Sequence, residues 1–258
     1  MTSTATAPTR TASLVSSRSS TPFVVDLAAP WAPVIAFSLQ RVTKTYRQGR
    51  HSLRALKRVD LEIAPGESVA LHGPAGSGKS TLLHLLAGLE RPTSGAIALG
   101  THDLTGAGDR TLSLIRTLEV GFVFSRVGLI STLTAAENVV ATPTMADVPP
   151  ADRRRSALAA LESVGLADQA DRLAAELSES QRQRVALARA LVNEPTVLLV
   201  DEPGATLDSS ARAEFLDLLD GVRRDRGLTL VVATDDASVA AHCSRRLALK
   251  NGRVAEAR

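Results

Sequence analysis

The sequence predicts an α/β fold built on a mostly parallel sheet, and three observations favour this class. Short apolar segments have the length and composition of buried strands. These segments are centred near residues 70, 122, 199, 231 and 248. Helical patterns separate them, as in parallel sheets that are covered on both faces. Upstream, residues 35–39 and 59–63 alternate apolar and polar side chains, which indicates an antiparallel β subdomain beside that sheet.

The predicted limits of the domain follow from composition. Residues 1–33 are rich in Ser, Thr, Ala and Pro, so we expect a disordered tail with too little apolar surface to fold. Residues 34–258 form one predicted domain. Within it, helical patterns over residues 126–190 interrupt the alternation of strands and helices, and we expect an inserted helical subdomain there.

Composition also narrows the classes of partner. The chain has 30 Lys and Arg residues against 27 Asp and Glu residues, and no basic stripe alternates with aromatic side chains. We therefore expect no nucleic-acid partner. The longest apolar runs fall short of the ~18 residues that a transmembrane helix needs, so a function at the membrane would require a separate membrane-spanning protein.

A glycine-rich loop follows the first buried strand and precedes a helical pattern. It fits G-x-x-x-x-G-K-[ST], the P-loop pattern, whose glycines and backbone N–H groups bind phosphate at a helix N-terminus. We expect a P-loop NTPase core that binds a nucleoside triphosphate, with Lys79 reaching the β- and γ-phosphates and Ser80 holding Mg²⁺. The nucleotide-binding residues predicted from the loop are Gly73, Pro74, Ala75, Gly76, Ser77, Gly78, Lys79, Ser80 and Thr81.

Two carboxylates end another buried strand. Asp201 and Glu202 follow four apolar residues, and in a parallel sheet this carboxyl edge faces the ligand. We expect Asp201 to hold Mg²⁺ together with Ser80, and Glu202 to polarise the attacking water. The predicted catalytic residues are therefore Glu202 and Lys79.

Tyr46 is the only tyrosine, and the pattern places it on a loop between the two strands of the antiparallel subdomain. An exposed aromatic ring at this position can stack on a base. A lone tyrosine is more often structural, so both interpretations stay open on the residues alone.

These motifs, in this order, resemble the ATP-binding subunit of ABC transporters. Tyr46 matches the adenine-stacking aromatic of that family, residues 73–81 its Walker A motif, and residues 197–202 its Walker B motif with the catalytic glutamate. Residues 177–191 stand where the signature motif belongs. Residues 205–208 match the loop that crosses the dimer interface.

The resemblance covers roughly residues 35–257, and residues 83–94 and 120–139 are most similar to the lipoprotein-release and macrolide-export branch. It implies two subunits stacked head to tail with ATP between them, so that Ser178 and Asp208 contact nucleotide across the interface. It also implies a membrane-spanning permease partner and a peripheral position on the cytoplasmic face of the cell membrane.

Three motifs of the chain depart from the family pattern. Ser125 stands where a glutamine normally contacts Mg²⁺ and the attacking water, and Asp235 stands where a histidine normally contacts the γ-phosphate. In the signature motif, Glu179 and Ser180 replace two glycines, and a serine restricts φ. A carboxylate at position 235 would repel the γ-phosphate, so we expect ATP binding with reduced hydrolysis.

Two functions of different classes remain. The first is an ATPase subunit that powers a permease. The alternative is an ATP-dependent dimerising switch or scaffold that signals to a membrane partner with little or no transport. A soluble ABC protein acting on DNA or ribosomes is disfavoured, because such proteins usually carry a long coiled coil or a second nucleotide domain.

Overall fold

The computed structural model describes residues 36–49, 51–142 and 148–256, so the tail predicted over residues 1–33 lies outside the described part. The described residues form ten strands and seven α-helices. The strands are β1 (Phe37–Gln48), β2 (His51–Ile63), β3 (Ser68–His72), β4 (Ser94–Leu99), β5 (His102–Asp103), β6 (Val120–Val123), β7 (Val197–Asp201), β8 (Thr229–Thr234), β9 (Arg245–Lys250) and β10 (Arg253–Glu256). The helices are α1 (Lys79–Leu86), α2 (Asp109–Leu118), α3 (Ala135–Val140), α4 (Pro150–Glu162), α5 (Glu179–Leu191), α6 (Ser209–Arg226) and α7 (Ala237–Ala240).

The central sheet has six strands in the order β10-β9-β3-β8-β7-β6. All neighbouring pairs are parallel except β9 and β10, which form a closing antiparallel hairpin. Strands β7 and β8 are buried along their whole length, because the helices and strands packed on both faces of the sheet cover them. The predicted α/β class and the predicted parallel sheet are therefore confirmed.

The two faces of this sheet belong to two different hydrophobic cores. On β7, Leu198 and Val200 pack into the core that contains α5 and α6, whereas Val197 and Leu199 pack into the core around α1. This alternation follows from the two-residue period of a strand. Apolar cores therefore cover both faces of the central sheet, and polar side chains of the site can lie only at the edge formed by the carboxyl ends of its strands.

The second sheet is antiparallel, in the order β2-β1-β4-β5, and confirms the predicted β subdomain. Its first two strands are much longer than predicted. Residue pairing between β1 and β2 continues through Tyr46 opposite Leu53 to the end of both strands. The prediction that Tyr46 lies on a loop is therefore wrong: this side chain projects from a strand that cross-strand hydrogen bonds hold in place.

Helices α3, α4 and α5 pack against one another and form the helical subdomain. The sequence predicts all three, but not α2, of which only Leu112 and Ile115 are buried. None of the helices among the described residues combines the length and the hydropathy that a membrane-spanning segment requires.

Candidate nucleotide-binding and hydrolysis site

The P-loop connects β3 to α1, as the sequence predicts. Gly76 and Gly78 have φ angles of +74° and +109°, which side-chain-bearing residues rarely adopt. A Cβ atom on Gly73 would stand 2.1 Å from the carbonyl oxygen of Leu249, on β9. The glycines are therefore required both by backbone conformation and by close packing against the central sheet.

Lys79 is the first residue of α1, and its side chain is buried inside the loop. Its Nζ donates to the carbonyl oxygen of Gly73 at 2.8 Å and lies 3.4 Å from Oε1 of Glu202. The two predicted catalytic residues, which are far apart in sequence, are thus brought together. The ammonium group stands inside the ring of backbone atoms where phosphate oxygens would lie.

The predicted metal ligands also meet. Ser80 Oγ donates to Oδ1 of Asp201 at 3.2 Å. Burial raises the pKa of Asp201, and this outweighs the opposite effects of the Ser80 hydroxyl and of the positive charge at Lys79. A hydroxyl and a carboxylate in contact are hard oxygen ligands of the kind that Mg²⁺ binds, so these residues fit the ion.

Glu202 leaves the end of β7 in a strained conformation. Its φ angle is +49°, in the left-handed region, while its N–H donates to the carbonyl oxygen of Ala233 at 2.8 Å. Its Oε2 accepts a hydrogen bond from the backbone N–H of Asp235 at 3.3 Å. The carboxylate therefore stands between the Lys79 ammonium and the backbone that follows β8.

A cleft of about 330 Å³ opens beside the P-loop, between the two sheets. Tyr46 lies at its wall, and its hydroxyl is 3.4 Å from Oγ1 of Thr81. The cleft also contains residues that the sequence analysis missed; they are Leu53, Arg54, Ala55, Lys57, Asn251 and Gly252. Gly252 donates to the carbonyl oxygen of Ser77, so the β9–β10 turn contacts the P-loop directly. Ser178 and Asp208, which the resemblance places at the nucleotide, are not among the described residues that line this cleft.

Ser178 and Asp208 cap helices instead. Ser178 forms a capping box with Gln181 at the start of α5, and Asp208 accepts a hydrogen bond from the N–H of Ala211 at the start of α6. Both are exposed polar side chains at helix N-termini. Within one chain they belong to a second cluster, apart from the P-loop cleft.

Glu179 joins this second cluster rather than standing as an isolated charge. Its Oε2 accepts from Arg182 at 2.8 Å, and its Oε1 accepts from the hydroxyl of Thr206 at 2.9 Å. The Arg182 hydrogen bond, opposed by partial burial, lowers the pKa of Glu179. Gln183 binds the same Thr206 hydroxyl and also accepts from the N–H of Gly204. The signature helix is therefore tied to the loop over residues 204–208.

The positions that depart from the family pattern have different structural consequences. Ser125 is exposed in the bend that follows β6. Ser180 lies in the first turn of α5, where a serine adopts the α conformation without backbone strain. Asp235 is exposed, and the contact that it makes with Glu202 uses its backbone.

Comparison with known proteins decides the family. The family model described as ABC transporter matches residues 56–205, more than half of the chain. This chain belongs to the ABC transporter family. The match spans the P-loop, the signature helix and the Asp201–Glu202 edge.

Relatives of this ABC protein lie in the predicted branch. It is 41% identical to the lipoprotein-releasing system ATP-binding protein LolD of Geobacter metallireducens, over 83% of this chain and 95% of that protein. It is 42% identical to the macrolide export ATP-binding/permease protein MacB of Rhodopirellula baltica, over 84% of this chain and 32% of that protein. The solved dimeric structure of the cassette MJ0796 bound to ADP and Pi aligns with a TM-score of 0.78 at 39% identity, over 84% of this chain and 96% of that one.

The P-loop also fits ATP on physical grounds. The Ser77 hydroxyl is buried within the loop without a hydrogen-bond partner among the described residues. An orphaned buried donor costs free energy unless a polar ligand satisfies it. The loop thus offers a free hydroxyl, a buried ammonium and unstrained glycine turns to a polyphosphate.

Proposed function

We propose that this chain is the ATP-hydrolysing subunit of an ABC transporter, in which two copies or two related subunits drive a permease. The observation that carries the proposal is the convergence of Lys79, Ser80, Asp201 and Glu202 at the carboxyl edge of one parallel sheet. A purely structural role of the buried Lys79 ammonium, which contacts two loop carbonyl oxygens and the Glu202 carboxylate, would not explain why Ser80 and Asp201 form a hydrogen bond beside it.

The residues would divide the work as follows. Backbone N–H groups of the P-loop and the Lys79 ammonium bind the β- and γ-phosphates and stabilise charge that develops on the transferred phosphoryl group. Ser80 and Asp201 hold Mg²⁺, which neutralises phosphate charge. Glu202, anchored by the Asp235 N–H, orients and polarises the attacking water.

A second ATP-binding subunit would complete the site. Ser178 and Asp208 lie outside the cleft of their own chain, at the exposed N-termini of α5 and α6. We place them against the nucleotide of a facing subunit, where the α5 N-terminus presents its dipole to the γ-phosphate. The dimeric state of the related cassette MJ0796 supports this arrangement.

The permease would dock at a groove beside Ser125. This groove has a volume of about 650 Å³ and is lined on either side of Ser125 by Phe124 and Arg126. Phe124 is 41% exposed even though its ring packs against Phe122, and an exposed aromatic ring beside a groove is a feature of protein-binding surfaces. Docking here would place the chain at the cytoplasmic face of the cell membrane, and the joint ATP-binding and permease name of MacB is consistent with such a pairing.

The direct test is phosphate release by the purified chain with Mg²⁺ and ATP. We expect Glu202→Gln to abolish turnover and to accumulate an ATP-dependent dimer on size-exclusion chromatography, whereas Lys79→Ala should also lose ATP binding. Asp171→Asn, which breaks an exposed ion pair with Arg154, is the matched control and should keep both properties. Turnover by Glu202→Gln equal to that of the unmodified chain would contradict the assignment.

We further propose that hydrolysis is slow. Ser125 is too short to reach the metal and water, and Asp235 offers a carboxylate where a donor to the γ-phosphate is needed. Loss of one transition-state contact typically costs ~10²–10³ in rate. Asp235→His alone should therefore raise the rate, and an unchanged rate with unchanged ATP affinity would count against this part of the proposal.

A nucleotide-dependent switch is the second candidate, favoured by the same two replacements at Ser125 and Asp235. Such a switch would dimerise on ATP and signal to its membrane partner with little transport. Reconstitution with the cognate permease in vesicles discriminates the two: substrate movement that requires Glu202 supports the transporter subunit, and ATP-dependent dimerisation without substrate movement supports the switch.

A further inference from the structure

The carboxylate of Glu90, in the turn after α1, accepts hydrogen bonds from two side chains of β1 and lies close to a histidine of α1. Oε2 accepts from the Tyr46 hydroxyl at 2.8 Å and from Lys44 Nζ at 2.8 Å. Oε1 accepts a second Tyr46 contact at 3.0 Å and lies 3.5 Å from His84 Nδ1. No motif in the sequence assigns this carboxylate a role.

The charge states suit this arrangement. Burial opposes ionisation of Glu90, but hydrogen bonds from Lys44, Tyr46 and His84 outweigh it and lower the pKa of Glu90. Burial, assisted by the nearby Glu90 carboxylate, raises the pKa of Tyr46, so the phenol stays protonated and donates. The contact is therefore a charge-assisted hydrogen bond, which is the stronger class.

Lys44 fixes the ring of Tyr46 as well as the carboxylate. Its Nζ stands over one face of the ring, 5.0 Å from the ring centroid, in a cation–π contact. The same Nζ donates to the carbonyl oxygen of Arg91 at 2.8 Å, so its position is set by the turn. One face of the ring is covered, the hydroxyl is anchored, and the ring still lines the cleft beside Thr81.

We propose that Glu90 is a positioning residue that holds the Tyr46 ring in place so that the base of a bound nucleotide stacks on the face opposite Lys44. This inference rests on the proposed function, because it needs a nucleotide at the P-loop. It adds a determinant of nucleoside recognition outside the glycine-rich loop. The phosphates are bound by other residues, so the role of Glu90 concerns the nucleoside alone.

Because Glu90 acts on the nucleoside and not on the phosphates, its loss should weaken ATP binding without weakening the binding of phosphate alone. General destabilisation of the chain would weaken both. Stacking of a base on an aromatic ring is worth ~1–3 kcal/mol, which is about a 5- to 150-fold change in affinity. Inorganic tripolyphosphate carries the same phosphates without a base. A loss confined to ATP therefore reports the ring, and a loss shared with tripolyphosphate reports damage to the P-loop.

The experiment measures the dissociation constants of Mg-ATP and Mg-tripolyphosphate for the full chain and for three variants. These are Glu90→Ala, Tyr46→Phe and the double variant, with Asp171→Asn as the control carboxylate. We expect Glu90→Ala to weaken ATP binding about tenfold, within the range for stacking, and to leave tripolyphosphate affinity within about twofold. In the Tyr46→Phe background, where the hydroxyl is missing, Glu90→Ala should add little.

Three results would overturn the proposal. These are unchanged ATP affinity in Glu90→Ala, an equal loss for ATP and tripolyphosphate, and a full Glu90→Ala effect in the Tyr46→Phe background. A failure of the proposed function looks different, because the unmodified chain would then bind neither ligand or would bind both independently of Lys79. In that case the inference about Glu90 falls with it.

Discussion

Arg212 on α6 holds two loops of the site together, and its removal gives a measurable prediction. Its Nε donates to the carbonyl oxygen of Gly204 at 3.0 Å, and its Nη2 donates to that of Leu207 at 3.2 Å. Its Nη1 pairs with Asp236 at 2.8 Å. The guanidinium thus fastens the loop over residues 204–208 to the segment that follows β8.

The cost of Arg212→Met can be worked from these contacts. The aliphatic stem is kept, so the packing loss is small. Gly204 is buried, and leaving a buried carbonyl oxygen without a donor costs ~1–3 kcal/mol. The ion pair with Asp236 is about a third exposed, and solvent screening reduces its contribution to below ~1 kcal/mol. We expect a total destabilisation of about 2–3 kcal/mol.

Urea unfolding of the purified chain measures this loss, with a midpoint of thermal unfolding about 4–12 °C lower as a second readout. Arg224→Met is the matched control, because Arg224 lies on the same helix and its side chain is 66% exposed. The control should change stability by less than ~0.5 kcal/mol. Equal effects of the two substitutions would refute the assignment of Arg212 as the fastener of these loops.

Three further predictions concern single side chains. Glu179→Gly removes the contacts with Arg182 and Thr206 and should destabilise by about 1 kcal/mol in urea; a stability gain would contradict the network. Burial raises the pKa of the Cys243 thiol, so iodoacetamide at pH 8 should alkylate the folded chain far more slowly than the urea-unfolded chain, and equal rates would count against it. Burial also raises the pKa of Asp201, so its ionisation opposes folding as the pH rises above about 4. Asp201→Asn should therefore be more stable than the unmodified chain at pH 7, by a margin that shrinks toward pH 4, and should lose Mg²⁺-dependent hydrolysis; a constant margin would sink the argument.

The sequence predicts the parts of the fold whose side chains are buried on both sides. Strand β7 is recognisable because every residue is buried, and its carboxylate end locates the site. Helix α2 escapes detection because two of its four apolar residues, Leu114 and Leu118, are exposed, so the apolar residues do not mark a single buried face. The end of β1 escapes for a related reason: exposed charged residues surround Tyr46, and only pairing with β2 keeps this stretch extended.

Within the site, local sequence motifs predict the residues of a single loop, such as the P-loop. They do not predict contacts between residues that are far apart in the sequence. The spacing from Gly73 to Ser80 identifies the P-loop without further information. In contrast, the sequence shows Glu179 only as a replacement for a glycine, whereas the structure supplies its hydrogen-bond partner Thr206 from 27 positions away. Glu90 likewise gains its role from Tyr46, 44 positions upstream. Such pairs depend on the tertiary fold, which no local pattern specifies.

We propose that the ATP-binding half of this site is complete and that the half that contacts the γ-phosphate and water is weakened. The most direct measurement is the ATP dissociation constant and the steady-state hydrolysis rate of the unmodified chain beside the Ser125→Gln, Asp235→His double variant. We expect the same affinity within about twofold and a rate at least about tenfold higher in the double variant, because each restored contact is worth ~10²–10³ at most. An unmodified chain that already hydrolyses ATP as fast as its double variant would contradict the claim.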